Sequence, residues 1–467
     1  MFFRQYYLEC LSHASYLVGD EGSGRAVVVD PQRDVRQYLA DAEANGLRIE
    51  RVIETHFHAD FLSGHLELAR ATGATIAYGE AAAGRTQFPI ETLVDGQRLE
   101  LGDVVLEVRA TPGHTPESIS VVVHERPDAS APYGVLTGDT LFIGDVGRPD
   151  LLTSEGVSAE DLARQLYQSL HTKLLTLPDE TRVFPAHGAG SACGKNLSSE
   201  TVSTIGEQRR VNYALAPMDE AAFVAAVTGG QAAAPPYFSF SARRNMQLRP
   251  LLEEDVGPDS LSLDEAVAQQ AAGALLLDTR RPEEFALAHL RGAVNVGLEG
   301  RFAEYAGDVI RPDQAVVVIA DGTAAAAEAR VRLGRIGFDR VLGALSEPEA
   351  GFLQRPDRVG PSARITAAEL AARIEDLPGL QILDVRNEGE ARLGMIPGAT
   401  VVPLPRLIGS LSALDPTAPT VVHCAGGYRS SIAASVLRAN GFEDVSDLIG
   451  GFGAWLSSGG PTTQMKK

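Results

Sequence analysis

A long stretch of this chain occurs twice, and that repetition limits the folds available to its C-terminal half. "LLDTRRPEEFALAHLRGAVNV", starting at Leu276, aligns without a gap on "ILDVRNEGEARLGMIPGATVV", starting at Ile382. Asp278 falls on Asp384, Arg280 on Arg386 and Gly292 on Gly398, and farther on "RIGFDRV" matches "ANGFEDV". Each copy runs from a buried apolar strand through a polar helix-like segment to a second apolar strand, "AVVVIA" or "PTVVHCA", and then to an Ala-rich helix. Strands that are apolar throughout and alternate with helices belong in a parallel sheet covered on both faces.

The rest of the chain must supply at least one more core, because 467 residues at 44% hydrophobic exceed what a single core organises. The expected division is 1–245, 260–355 and 362–460, with "TGGQAAAPPYFSF" near Thr228 as a linker and "RPDRVGPSAR" between the repeats. A formal charge of -20 opposes binding to phosphate backbones or anionic lipid, so neither nucleic acid nor a membrane is an expected partner. Cys10, Cys193 and Cys424 are too few and too scattered for the disulfide framework of a secreted protein. Arg4 and Glu9 interrupt any apolar signal core in "MFFRQYYLEC", and no run of about 18 apolar residues follows. The expectation is a soluble cytoplasmic protein.

Up to about Pro217, β-branched runs alternate with turn signals: "AVVVD", "RVIETH", "TIAY", "VVLEVRATPGH", "SISVVVH", "GVLTGDTLF" and "RVFPAHG". One helix is expected from Ala159 to about Leu175, with Ser158 as its N-cap. Four of the strand ends carry metal-ligand residues: His56, His58 and Asp60 in "THFHADF", His114 in "TPGHT", Asp139 in "TGDTLF" and His187 in "PAHG". Any one of these histidines alone reads as an ordinary core or surface residue, as His13, His65, His124 and His171 do. Four such patches beside Gly and Pro turns aim side chains into one mouth.

The spacing and letters of these patches resemble the metallo-β-lactamase superfamily, within it the glyoxalase II and persulfide dioxygenase branch. The resemblance covers nearly all of the first 220 residues and implies an αββα sandwich with metal at one edge. Two-metal members have a histidine directly after "HxHxD", and here Phe61 occupies that place. By the family's pattern the remaining ligands are His56, His114 and Asp139, with His58, Asp60 and His187 in the outer shell. A face of two imidazoles and one carboxylate with open positions suits a non-haem Fe(II) that must bind O2 and substrate together. The resemblance therefore implies one Fe(II) ion per chain in preference to zinc. Arg148 in "GDVGRPDLL" lies in the family's substrate region, where it would meet an anionic carrier or pair with Asp145 or Asp150. Cys193 resembles a recurrent cysteine of rhodanese-fused dioxygenases, which implies either an accessory persulfide contact or the small buried hydrophobe that a lone cysteine usually is, the reading that Cys10 receives.

"TVVHCAGGYRSS", Thr420 to Ser431, is the sharpest motif of the C-terminal half. A buried strand ends at Cys424, Gly426 and Gly427 make a loop with Tyr428, Arg429 closes it, and a helix starts near Ser430. Backbone N–H groups and a helix N-terminus then face the sulfur and favour its thiolate, so Cys424 is the expected nucleophile. Four residues separate Cys424 from Arg429, where the similar tyrosine phosphatases have five, and the shorter loop resembles the rhodanese family. In the first repeat Cys424 falls on Ala320 or Asp321, depending on one gap, and nothing replaces Arg429. That repeat is expected to be catalytically inactive.

The fold class expected is thus a multidomain α/β protein: an αββα sandwich followed by two rhodanese-like domains with parallel sheets. The combined resemblance implies a dioxygenase that converts a low-molecular-weight thiol persulfide, glutathione or similar, with O2 to sulfite. It also implies a sulfurtransferase that makes or uses thiosulfate through Cys424, in a chain that forms a homo-oligomer. The competing expectation is a zinc-dependent glyoxalase II-like thioester hydrolase with a rhodanese tail.

Overall fold

The computed structural model describes residues 1–153 and 156–465. They form two units, one of Met1–Gln231 with Phe238–Glu253 and the other of Ala232–Tyr237 with Glu254 onward.

The first unit is built on two six-stranded sheets. In one, β1 (Phe2–Leu8), β2 (His13–Asp20), β3 (Arg25–Val29), β4 (Arg48–Ile53), β5 (Thr75–Gly79) and β6 (Glu91–Leu93) lie side by side in chain order, antiparallel up to β3 and parallel from there on. The other holds β7 (Arg98–Glu100), β8 (Val105–Ala110), β9 (Ile119–His124), β10 (Gly134–Gly138), β11 (Arg182–Pro185) and β12 (Ser203–Thr204), again in order. Alternate side chains of a strand point to opposite faces. Tyr16, Val18, Val27, Val29 and Ile53 of the first sheet therefore meet Leu106, Val108, Val121, Val123 and Leu136 of the second. The other faces bury Val28 and Val52 under Tyr38 of helix α1 (Arg36–Ala44), and Val122 and Val135 under Leu166 of helix α2 (Ala159–Ser169). Ser158 caps α2 by accepting from the Asp161 N–H, and the chain continues through Leu170–Leu174 with His171 exposed.

The chain after Thr228 departs from the linker expectation. Phe238–Asn245 is helical and returns to the first unit, where Asn245 donates to the carbonyls of His58 and Phe61 and accepts from the Ser63 N–H. Arg249 follows and shares the buried Glu67 carboxylate with Arg33. Two guanidiniums on one carboxylate hold this tail across residues 58–66, and the first unit includes it as far as Glu253.

The second unit contains both repeats. In the first, Val294–Asn295, Leu275–Asp278, Val316–Ile319 and Val341–Leu345 make an all-parallel sheet in that order. In the second, the order is Ala363–Ile365, Val445–Leu448, Thr420–His423, Gln381–Asp384 and Thr400–Val401, also parallel. The repeated Asp-x-Arg letters are a buried pair at a strand end. Arg280 grips Asp278 at 3.0 and 2.6 Å, and Arg386 grips Asp384 at 2.9 and 2.6 Å. Gly292 and Gly398 recur because both sit at positive φ, +78° and +80°. Register also decides the open alignment, since Asp278 pairs with Ile319 as Asp384 pairs with His423. Ala320 therefore occupies the place of Cys424. Among the described residues no helix is long and apolar enough to cross a membrane.

Candidate metal centre and sulfur-transfer loop

Turns after β4, β8, β10 and β11 bring the metal-type residues to one edge of the sandwich. His56, His114 and Asp139 are buried, with donor atoms within 4.8 Å of one another. Asp139 Oδ2 is 3.5 Å from His114 Nε2 and 3.9 Å from His56 Nε2. His114 Nδ1 is 2.9 Å from the Arg148 carbonyl and His56 Nδ1 is 3.0 Å from Thr55 Oγ1. Both imidazoles are thus oriented with Nε2 facing inward. Burial and the neighbouring imidazoles push His56 well below the usual histidine range, which favours the neutral ligand form. His56 Nε2 and both Asp139 oxygens have no hydrogen-bond partner. Buried polar atoms without partners are costly, and a cation among them would resolve all three. The residues fit a metal ion.

His58 faces elsewhere. Its Nε2 lies 3.0 Å from Asp30 and 3.3 Å from Glu54, and although burial opposes charge on it, these carboxylates hold its pKa well above the usual range. Asp30 also accepts from Thr55 N–H and Oγ1, so it braces the strand end that carries His56. Sequence inspection missed Asp30 and Glu54, although "VVVD" ends a strand beside the motif.

A second donor set, Asp60, His187 and Cys193, stands beside the first. His187 Nε2 is 3.3 Å from Asp60 and 3.5 Å from Asp139, and its Nδ1 meets the Ser12 carbonyl. Burial, with the Asp60 and Asp139 charges, raises the Cys193 thiol well above its ordinary value, so it is a neutral thiol in this setting. Phe61 turns its ring onto His13, 4.0 Å between centroids, and onto His58 at 4.4 Å. His13 is buried with neither nitrogen hydrogen-bonded, and its ring lies 5.7 Å from that of His187. Of the two expectations for Arg148, the structure shows the ion pair: its buried guanidinium takes Asp150 at 2.7 and 2.8 Å and the Ala192 carbonyl at 3.1 Å. The part of Arg148 that reaches the centre is its carbonyl.

In the second unit the strand Thr420–His423 delivers Cys424 to the head of the helix Tyr428–Ala439. Gly427, at φ +105°, donates its N–H to Cys424 Sγ at 3.1 Å, a geometry that needs glycine. Ser430 Oγ is 3.6 Å from the sulfur, and Gly426 is exposed at the mouth. Gly451 backs the loop so closely that a Cβ there would meet the Cys424 carbonyl at 2.4 Å, while the Phe452 N–H bonds to that same oxygen. Arg429 is held by Glu390 through bonds of 2.7 and 2.8 Å, a partner that sequence inspection missed. Tyr428 points away from the sulfur and donates to the carbonyls of Gly297 and Glu299.

A buried two-histidine, one-carboxylate cluster on a double-sheet sandwich, in one chain with a buried cysteine at a helix N-terminus on a parallel sheet, is a candidate metal centre accompanied by a candidate cysteine cradle. The family described as "Metallo-beta-lactamase superfamily" matches residues 8–187, and "Rhodanese-like domain" matches 262–345 and 366–458. The mitochondrial persulfide dioxygenase ETHE1 of Bos taurus is 32% identical over 200 residues, 42% of this chain and 69% of that protein. A hydroxyacylglutathione hydrolase of Methylococcus capsulatus is 36% identical over 174 residues, 37% of this chain and 60% of the relative. A solved metallo-beta-lactamase from Staphylococcus aureus is 33% identical with a TM-score of 0.66, covering 73% of this chain and 98% of that one. The chain belongs to the metallo-β-lactamase superfamily as a homologue of the persulfide dioxygenases, fused to tandem rhodanese-like domains.

Proposed function

We propose that the first unit is a persulfide dioxygenase using one Fe(II), and that the second transfers sulfane sulfur through Cys424 to make or use thiosulfate. The observation that carries this reading is the buried triangle of His56, His114 and Asp139, in which His56 Nε2 and both Asp139 oxygens have no hydrogen-bond partner, beside an apolar Phe61. His56, His114 and Asp139 would hold the ferrous ion, which would supply redox chemistry between O2 and a thiol persulfide. The protein's share is to orient the two imidazoles through Thr55 and the Arg148 carbonyl, and to keep the Cys193 thiol neutral beside them. In the second unit Gly427 N–H faces the Cys424 sulfur, and Arg429, fixed by Glu390, supplies a cation for the sulfite or thiosulfate oxygens.

The runner-up, a zinc-dependent thioester hydrolase with a rhodanese tail, draws on one specific observation: the second donor set of Asp60, His187 and Cys193. Two ions side by side would suit hydroxide generation. Anaerobic reconstitution separates the readings. Fe(II) protein should bind one equivalent and consume O2 with glutathione persulfide, and Cys424→Ser should remove thiosulfate exchange while leaving O2 uptake intact. Thioester hydrolysis by zinc protein, with no oxygen uptake by iron protein, would establish the hydrolase instead.

A further inference from the structure

Both repeats lie in one unit, and the loop after Cys424 is held from each of them. From its own repeat, the Phe452 N–H donates to the Cys424 carbonyl at 2.7 Å and the Gly453 N–H to the Ala425 carbonyl at 3.0 Å. Ala425 and Gly426 are exposed and Gly427 takes a positive φ, so the main chain that aims the Gly427 N–H at the sulfur has little stiffness of its own. Tyr428, the next residue, restores a hold. Its phenol donates to the Gly297 carbonyl at 2.6 Å and the Glu299 carbonyl at 3.1 Å, both in the first repeat, and the Tyr305 ring stands edge-on to it at 5.3 Å. Burial raises the phenol above its usual pKa, which keeps the proton these bonds need.

The accepting carbonyls are themselves fixed. The Val296 N–H bonds to the Asp278 carbonyl and the Leu298 N–H to the Thr279 carbonyl, each at 2.9 Å, so Gly297 is clamped on both sides to the end of the strand Leu275–Asp278. Farther along the helix Tyr428–Ala439, Ser435 Oγ accepts from the Asn295 N–H at 2.9 Å. Tyr428 and Ser435 are seven residues apart, about two turns, and so share one face of that helix. This face lies on the first repeat, while Arg429 turns to Glu390 and Ser430 to the sulfur. The first repeat has Ala320 where a nucleophile would stand, yet it keeps a rigid pair of acceptors for the residue that follows Gly427.

We propose, resting on the sulfurtransferase reading, that the first repeat aims the sulfur cradle of the second, with Tyr428 as the positioning residue that ties the Gly427 N–H to the fixed carbonyls of Gly297 and Glu299. In the exchange reaction the Cys424 thiolate attacks the outer sulfur of thiosulfate, the S–S bond breaks, and its electron pair leaves with sulfite. Cyanide then attacks the same sulfur, the bond to Cys424 breaks, the pair returns to Cys424 Sγ, and thiocyanate departs. No external oxidant or reductant is consumed. Negative charge gathers on Sγ in the second step, where the Gly427 N–H at 3.1 Å stabilises it. In the first step charge leaves Sγ, and a less stabilised thiolate is a better nucleophile, so the two effects largely offset. Thiosulfate binding keeps its cation, because Arg429 is fixed by Glu390 and not by Tyr428. Loss of the phenol should therefore slow the cyanide step selectively.

The test is steady-state thiosulfate-to-cyanide exchange by the full-length chain, in which kcat/KM for each substrate reports its own half of the reaction. Tyr428→Phe keeps the ring and removes the donor. It should lower kcat/KM for cyanide about tenfold and leave kcat/KM for thiosulfate within about threefold of normal. Gly297→Val presses on the same ring from the first repeat, since a Cβ there already lies 3.4 Å from Tyr428 Cε2, and should give the same split. Ser435→Ala loosens the shared face two turns from the sulfur and should leave both values within twofold. A variant that merely folds less well loses active protein and lowers both values alike, so the split separates positioning from stability. A cyanide kcat/KM within twofold of normal in Tyr428→Phe overturns the proposal, as does an equal fall in both values or the same split in Ser435→Ala. Absence of exchange in the unmodified chain would instead sink the sulfurtransferase reading and this proposal with it.

Discussion

Gly147→Ala offers a steric probe of the metal centre that leaves every ligand in place. A Cβ at Gly147 would lie 1.9 Å from the Asp139 carbonyl oxygen and 3.2 Å from His114 Cβ, so the added methyl wedges between two residues of the donor triangle. The carbonyl must retreat from 1.9 to at least 3.0 Å, a shift of about 1.1 Å transmitted to the Asp139 carboxylate through its own backbone. Interiors are close-packed and yield poorly to such insertions. A misplacement of about 1 Å at a reacting centre lowers rates by roughly 100-fold, which is about 2.7 kcal/mol of barrier. Fe(II)-reconstituted Gly147→Ala should therefore take up O2 with glutathione persulfide about 100-fold more slowly and retain less iron after desalting. Hydrogen exchange in β9 should stay protected, showing that the sandwich is folded, and thiosulfate exchange through Cys424 should be within about twofold of normal. Full iron content together with unreduced O2 uptake would refute the claim that Asp139 geometry governs the centre.

Phe61→His should restore a ligand beside Asp60, His187 and Cys193 and raise metal content from one equivalent toward two, measured by elemental analysis after reconstitution. A variant that still binds a single ion would show that Phe61 is not what limits occupancy. Glu67→Gln leaves the buried guanidiniums of Arg33 and Arg249 without their carboxylate, a loss of about 3 kcal/mol. Hydrogen exchange across residues 58–66 should accelerate roughly 100-fold, and unchanged protection would show that this network does not hold the loop. The same network fixes a pH dependence. Burial opposes the Glu67 charge, but the two arginines more than offset it and keep its pKa below the ordinary 4.5. Its stabilisation is therefore complete above pH 4.5 and is lost as pH falls below that value, so acid should open the segment in the unmodified chain but not further in Glu67→Gln.

The choice of His56, His114 and Asp139 as ligands came from the family resemblance, but the strand ends that carry them and His187 were legible in the sequence because each belongs to a short local pattern, a β-branched run followed by a turn. The repeat was legible for the same reason, since Asp278–Arg280 and Asp384–Arg386 are partners two residues apart. What stayed hidden acts over distance or through the main chain. Asn245 reaches the His58 and Phe61 carbonyls from more than 180 residues away, and no local pattern around it signals that contact. Arg148 was noticed for its charge, whereas its carbonyl is the group that meets His114. Glu390 is the most instructive case. Both it and its counterpart Glu284 accept from a backbone N–H three residues earlier, Asn387 and Arg281, as ordinary helix caps. Only in the second repeat does an arginine 39 residues downstream turn that cap into a clamp on the cradle cation. The first repeat keeps the cap and lacks the cation, so the shared residue caps a helix in both copies and holds a loop arginine in one. A family signature marks where reacting atoms sit, but the groups that aim them are recruited from whatever the fold brings near.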